Sequence, residues 1–130
     1  MRLSEHICAR YQYAVEIISR RWTTLIIKVL LAGPLHFNQI GTQLEVVSDR
    51  VLSERLKELE KEGIVSRTVC VGPPIRVTYG LTEKGAALAP ICEAIETWSH
   101  TWVTLDAAAH PDADIELIDL AEIETPASEL

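Results

Sequence analysis

The sequence predicts a mainly α-helical domain carrying a single β-hairpin, and three observations carry that prediction. Apolar residues recur at helical spacing from Tyr11 to Leu59 and again from Leu88 to Leu105. Between Val65 and Leu81 the period changes to two, the period of a strand. Chain-breaking residues fall at the joints: Gly33-Pro34, Gly63 and Gly72-Pro73-Pro74.

Taken in order, Tyr11, Val15, Ile18 and Trp22 recur at steps of 4, 3 and 4 and predict a first helix with those four side chains on one face. A second helix runs from about Trp22 or Thr23 to Ala32. It is stopped by Gly33, which tolerates a positive-φ cap, and by Pro34, which cannot continue a helix. A short helix follows, Phe37 to Gln43, with Phe37, Ile40 and Leu44 turned inward. After a turn at Glu45-Val46-Val47, Ser48 is a good N-cap for a helix reaching Glu62, closed by Gly63. Two helices of these lengths joined by so short a turn have the form of a helix-turn-helix. Val65, Arg67, Val69 and Val71, then Val77, Tyr79 and Leu81, alternate with smaller or polar residues across the Gly72-Pro73-Pro74 tip. A hairpin placed there is a wing, and the fold class is a winged helix-turn-helix.

Thr82 is the expected N-cap of a last helix, from Glu83 to about Leu105. Leu88, Ile91, Ile95, Trp98, Trp102 and Leu105 form a seam at steps of 3 and 4, with a kink or irregular first turns expected at Pro90. The predicted domain is 1–105, with helices at about 8–32 and 83–105 serving dimerisation and an acidic tail at 106–130. For the tail the sequence leaves two readings open: disorder, or a short docked element from Ile115 to Ile123.

The charge is divided along the chain. Residues 1–85 hold all 12 Lys and Arg against 9 Asp and Glu, a net +3, whereas residues 86–130 hold no basic residue and 10 acids, a net −10. Cationic side chains are therefore confined to the part that resembles a nucleic-acid binder. Three cysteines at wide spacing, Cys8, Cys70 and Cys92, make no disulfide framework and fit a reducing compartment. Scattered histidines and the lack of CxxC or HExxH argue against a zinc site, and neither a cofactor nor a metal is expected. No apolar run reaches the roughly 20 residues of a membrane span. MRLSEHICARYQY lacks the apolar region and cleavage site of a signal peptide, so the expected location is cytoplasmic.

The helix from Ser48 is the most informative segment. At 100° per residue Leu52, Leu56 and Leu59 share one face, while Arg50, Ser53, Glu54, Lys57 and Lys61 share the opposite one. The second helix of a helix-turn-helix presents its outward N-terminal side chains to the major groove, so Ser48, Arg50, Ser53 and Lys57 are the candidate contacts to bases or nearby phosphates. Arg55, at the edge of the buried face, is a candidate phosphate ligand. In the wing, Arg67 and Arg76 flank a tip with no acid from Ser66 through Leu81, a composition suited to a minor groove or to phosphates. His36 and Asn38 beside the short helix are further candidates. The plainer reading, a solvated amphipathic helix with weak i,i+4 pairs beside a shielded hairpin, weakens once helix and wing are taken together.

The seam Ile91, Ile95, Trp98, Trp102 has more apolar surface than its own domain needs, and Trp is enriched at interfaces. Pairing it with Tyr11, Val15 and Ile18 of another copy builds a two-fold homodimer, which reads a pseudo-palindromic operator in double-stranded DNA. Cys8 lies at a helix start between His6 and Arg10, an environment that favours the reactive thiolate. It is a candidate sensor of oxidants or electrophiles, with an inert thiol as the alternative. Cys92, beside Ile91, is expected in the core.

These residues converge on a family. The chain from Cys8 to about Trp98 resembles HxlR-type winged-helix regulators, a prokaryotic group related to the MarR proteins. The resemblance rests on Cys8, Trp22-Thr23, Phe37, the run Ser48-Asp49-Arg50-Val51-Leu52-Ser53-Glu54-Arg55-Leu56-Lys57-Glu58-Leu59-Glu60, Gly63-Ile64-Val65 with Arg67, Tyr79-Gly80-Leu81-Thr82-Glu83-Lys84-Gly85, and Trp98. It implies dimeric transcription factors, commonly repressors, some of which sense oxidants or electrophiles through an N-terminal cysteine at the position of Cys8. Two departures stand out: Ala9 where a Pro often follows that cysteine, and Arg20-Arg21 where a Gly-Lys pair usually precedes the tryptophan. The alternatives are a winged-helix protein-interaction module and a regulator answering to a small molecule without thiol sensing. An enzyme is disfavoured, because no nucleophile-base set, phosphate loop or metal cluster is legible.

Overall fold

The computed structural model describes residues 6–105, and the chain divides into two units at Ala89/Pro90. The expectations for the tail, 106–130, lie outside the described residues. In the first unit the elements run α1 (Ala9–Ile18), α2 (Thr23–Leu30), β1 (Leu35–His36), α3 (Phe37–Gln43), α4 (Asp49–Lys61), β2 (Val65–Cys70), β3 (Arg76–Leu81) and α5 (Glu83–Ala86). The strands form an antiparallel sheet in the order β1-β3-β2.

The core is built from one side of each helix. Ile26, Ile27 and Leu30 of α2, Ile40 of α3 and Leu52, Leu56 and Leu59 of α4 are buried, joined by Leu44, Val47, Ile64 and Val65 from the connections and β2. Each buried branched side chain contributes roughly 1.5–3 kcal/mol. For α4 the three leucines at steps of 4 and 3 fix which side faces in, and so leave the opposite side to solvent. Its start is set by Ser48, whose Oγ accepts a hydrogen bond from the Val51 amide at 3.2 Å. Its end is set by Gly63 at φ +77, a conformation that a Cβ would strain.

Two expectations are corrected, and two features go beyond what the sequence pattern shows. Trp22 does not extend the face of α1: that helix ends at Ile18, and Trp22 sits at φ +75 as the N-cap of α2. The expected helix from Glu83 to Leu105 is two helices, α5 and α6 (Ala89–Trp102), because Pro90 can occupy the first turn of a helix but not its interior. The sequence pattern gives no sign of β1; Leu35 pairs with Tyr79 and His36 with Thr78. Finally, the alternation along β2 does not track burial, for only Val65 of that strand is buried.

The base of the wing is pinned by Thr82. Its amide donates to the Ile64 carbonyl at 3.0 Å, and its hydroxyl donates to the Gly63 carbonyl at 2.5 Å. The same Oγ accepts from the Gly85 amide at 3.1 Å and caps α5. Lys84 Nζ adds a bond of 2.6 Å to the Glu62 carbonyl. Gly85 is buried here, and a Cβ on it would overlap the Ile64 carbonyl oxygen.

The second unit is described to Leu105 and consists of α6 and the residues after it. Ile91, Ile95, Trp98 and Trp102 of α6 are 41%, 50%, 60% and 71% exposed, while Cys92 is buried, as expected from its position. Among the described residues no helix is long and apolar enough to cross a membrane.

Candidate nucleic-acid interface

α3 and α4, joined by the turn through Val47, form the helix-turn-helix, and the hairpin of β2 and β3 follows α4 directly. With its leucine face buried, α4 turns Arg50 and Lys57 to solvent and leaves Ser53 half-buried. The Arg50 side chain is 78% exposed and in the free protein its Nη1 lies 3.1 Å from Glu54, an i,i+4 pair at the surface. Such pairs are worth only a few tenths of a kcal/mol, so a competing anion readily displaces the carboxylate. Ser48 is exposed, though its hydroxyl oxygen is engaged as the helix cap.

Arg55 departs from the expectation. Its Nε donates to the Arg21 carbonyl at 2.9 Å, and its Nη1 lies 3.5 Å from Glu58, with only 20% of the side chain exposed. A guanidinium held that way ties α4 to the α1–α2 connection and is not directed at a phosphate. The helical wheel places Arg55 at the margin of the buried face, but the backbone oxygen waiting for it comes from a loop that periodicity does not locate.

In the wing, Arg67 and Arg76 do not act together. The register pairs Arg67 with Tyr79 and Cys70 with Arg76, which puts the two arginines on opposite faces of the ribbon. Both are exposed. On the face of Arg76, its Nη1 lies 3.4 Å from His36 Nε2, and Thr78 Oγ1 lies 3.1 Å from His36 Nδ1. The imidazole thus links the start of α3 to β3. His36 is also the N-cap of α3, and its amide donates to Gln39 Oε1 at 2.8 Å. Asn38, one residue into α3, is exposed. The structure therefore brings Arg76, His36 and Asn38 to one neighbourhood and Arg50, Ser53 and Lys57 to another on α4.

On the N-terminal side, Tyr11 is 66% exposed, Val15 39%, and Ile18 is half-buried; no residue of α1 is buried. Cys8 is exposed as the N-cap of α1. Its thiol is held below the ordinary value first by hydrogen bonding to the Tyr11 backbone and then to that of Arg10. Of the helix start and the cationic neighbours that the sequence offers, the helix start is the cause: amides of the first helical turn stabilise the thiolate.

Sequence reasoning misses the polar links between α1 and α4. Tyr13 Oη donates to Glu62 at 2.9 Å, which raises the tyrosine pKa because the carboxylate opposes a phenolate. Arg20 Nη1 meets Glu58 at 2.6 Å, and the Arg21 guanidinium stacks 4.5 Å above the Trp22 ring. The Arg20-Arg21 departure noted in the sequence thus has a structural use that a Gly-Lys pair could not reproduce in full.

Comparison with known proteins agrees with this architecture. The profile of the HxlR-like helix-turn-helix family matches residues 17–107. The HTH-type transcriptional regulator YvaP of Bacillus subtilis (strain 168) is 50% identical over 97 residues, covering 75% of this chain and 90% of that protein. The regulator YodB of the same organism is 40% identical over 93 residues, covering 72% and 83%. The structure of reduced YodB superposes with a TM-score of 0.68 at 38% identity over 75% of this chain and 95% of that one. Quinone-bound YodB gives 0.65 at 37% identity, covering 73% and 100%. The redox regulator HypR in its oxidised form gives 0.70 at 28% identity, covering 75% and 100%. A second helix with Arg50 and Lys57 in solvent, followed by a pinned hairpin, fits this likeness, and the chain belongs to the HxlR-like helix-turn-helix family of DNA-binding transcriptional regulators.

Proposed function

We propose that the chain is a homodimeric repressor that grips a pseudo-palindromic operator, one half-site per protomer. The observation that carries this reading is α4, whose three leucines are buried and whose opposite face sets Arg50, Ser53 and Lys57 in solvent at the groove-reading end of a helix-turn-helix. Arg50 supplies the bidentate donor suited to guanine, Ser53 a small donor and acceptor, and Lys57 a phosphate charge. Arg76, Arg67, His36, Asn38 and Ser48 flank them as backbone contacts. The exposed apolar residues Tyr11 and Val15 on α1, and separately Ile95, Trp98 and Trp102 on α6, are surfaces that a second copy covers.

The test is binding to promoter fragments across a salt series. Phosphate contacts make log affinity fall linearly with log salt, with a slope of about −0.9 per phosphate neutralised. Arg50→Ala with Lys57→Ala is expected to weaken binding and flatten the slope by about 1 to 2. Unchanged affinity and slope in that double variant would remove α4 from the interface.

A second reading, that the regulator answers to oxidants or electrophiles, is favoured by the exposed Cys8 with its lowered pKa. Its similarity to YodB, seen in reduced and quinone-bound forms, supports this. A thiolate there adds to an electrophilic carbon or is oxidised to a disulfide with a second thiol. The expected outcome is loss of operator binding on treatment of the native protein and no loss for Cys8→Ser.

A further inference from the structure

The wing is a ribbon with two unlike faces. The register Thr68↔Thr78 and Cys70↔Arg76 collects polar residues on one, whereas Val69↔Val77 and Arg67↔Tyr79 define the other. Towards the end of the ribbon that second face turns apolar and leaves the core: Val69 is 45% exposed, Ile75 70% and Val71 89%. Continued by one step, the register sets Val71 opposite Ile75, with Gly72, Pro73 and Pro74 closing the tip. Five consecutive residues at the end of the hairpin thus carry no polar side chain. Branched apolar groups held in water gain nothing from phosphate oxygens, so the cationic wing contact inferred for Arg67 and Arg76 leaves them unexplained.

We propose that the tip Val71–Ile75 is an apolar wedge that enters the minor groove of the duplex held by α4 and bends it. The proposal rests on the DNA-binding reading above and adds the means by which that site selects deformable sequence. Proteins that bend DNA from the minor groove insert side chains such as Ile and Pro against base steps, and they flank the wedge with cations that hold the adjoining phosphates. Here Arg76 follows the tip immediately and Arg67 stands further down the other strand. No acid lies between Ser66 and Leu81 to repel the backbone. The tip continues the interface that α4 begins, because β2 starts two residues after the Gly63 cap. A second copy of the chain is the poorer occupant: a stable protein interface buries roughly 1,200–2,000 Å², far beyond what five small residues offer. Specificity then arises at base steps that no side chain reads by hydrogen bonds, since flexible pyrimidine–purine steps are the easiest to open.

The test uses the full chain and a fragment selected by it from a random duplex pool, with the bend measured by energy transfer between end labels and affinity measured across a salt series. Wild type is expected to bend the fragment by about 20–90°. Val71→Ser with Ile75→Ser is expected to leave it nearly straight and to weaken binding roughly tenfold at an unchanged salt slope, because the groups removed are apolar and neutralise no phosphate. Arg76→Ala is expected to do the reverse, flattening the slope by about 1 while keeping the bend. A straight duplex in the wild-type complex, or an equal bend in the double variant, overturns the wedge and leaves the α4 interface standing. A wild type without salt-dependent duplex binding overturns both. Weaker self-association of the double variant with the bend unchanged also overturns the wedge and assigns the tip to a second copy.

Discussion

Arg20 and Glu58 meet at 2.6 Å, joining the segment after α1 to the outer half of α4. Both side chains are substantially exposed, at 53% and 40%. Arg55, by contrast, is mostly covered and donates to a backbone carbonyl of Arg21. The two arginines make the same connection with unequal strength. Arg20→Ala is expected to cost about 0.5 kcal/mol, and less at high salt, since exposed ion pairs are screened. Arg55→Ala is expected to cost about 2 kcal/mol, because a hydrogen bond from a charged and mostly covered donor is then lost. Urea unfolding of both variants at two ionic strengths checks the ranking; equal costs would refute it.

Gly85→Ala is expected to be the most damaging conservative change in the first unit. The added Cβ would overlap the Ile64 carbonyl oxygen, a backbone atom that cannot rotate away. A loss of about 3 kcal/mol is expected, with a Tm lower by roughly ten degrees or more. Thermal unfolding measures it, and a melting point close to that of wild type would contradict the packing described.

For Cys8 the sign is set by stabilisation of the thiolate. Hydrogen bonding to the Tyr11 and Arg10 backbone lowers the pKa, so in the folded chain the thiolate persists to lower pH than in the unfolded chain. The rate of alkylation at Cys8, followed by mass spectrometry, is expected to rise with pH through a midpoint below that of an ordinary cysteine peptide. Denaturation is expected to move that midpoint up. A midpoint unmoved by unfolding would show that the helix start does nothing to the thiol.

Ile95→Glu with Trp98→Glu is expected to shift the mass measured by sedimentation from dimer to monomer at micromolar concentration, since two charges replace apolar groups already 50% and 60% exposed. Operator binding is expected to weaken with it, each protomer then holding a single half-site. A double variant that still sediments as wild type would send the dimer interface elsewhere.

Much of this molecule is legible in its sequence. The bounds of α3, the caps Ser48 and Thr82 and both strands of the wing follow from it, because each rests on periodicity or on local cap chemistry. What escapes depends on partners distant in sequence. β1 is two residues long, too short to show a period, and exists only because Tyr79 and Thr78 lie beside it. Trp22 fits the spacing of α1, yet the chain turns through φ +75 at that residue, and spacing carries no signal for a turn. The capping pair His36 and Gln39 does have a local signal, a residue able to reach back three positions, but the phosphate role expected of the histidine hides it. Among the candidate DNA contacts, Arg50, Ser53 and Lys57 emerge on the side that the helical period assigns them, whereas Arg55 turns inward and Arg67 parts from Arg76.

The bonds around Thr82 give the hairpin a fulcrum. Its hydroxyl grips the Gly63 carbonyl and its amide the Ile64 carbonyl, so the ribbon's root is tied to the segment that ends α4. A ribbon rooted this way is expected to pass a load on Val71 or Ile75 to the C-terminal end of α4, where Gly63 closes the helix. Without that anchorage, a lengthening of the ribbon would merely give it slack.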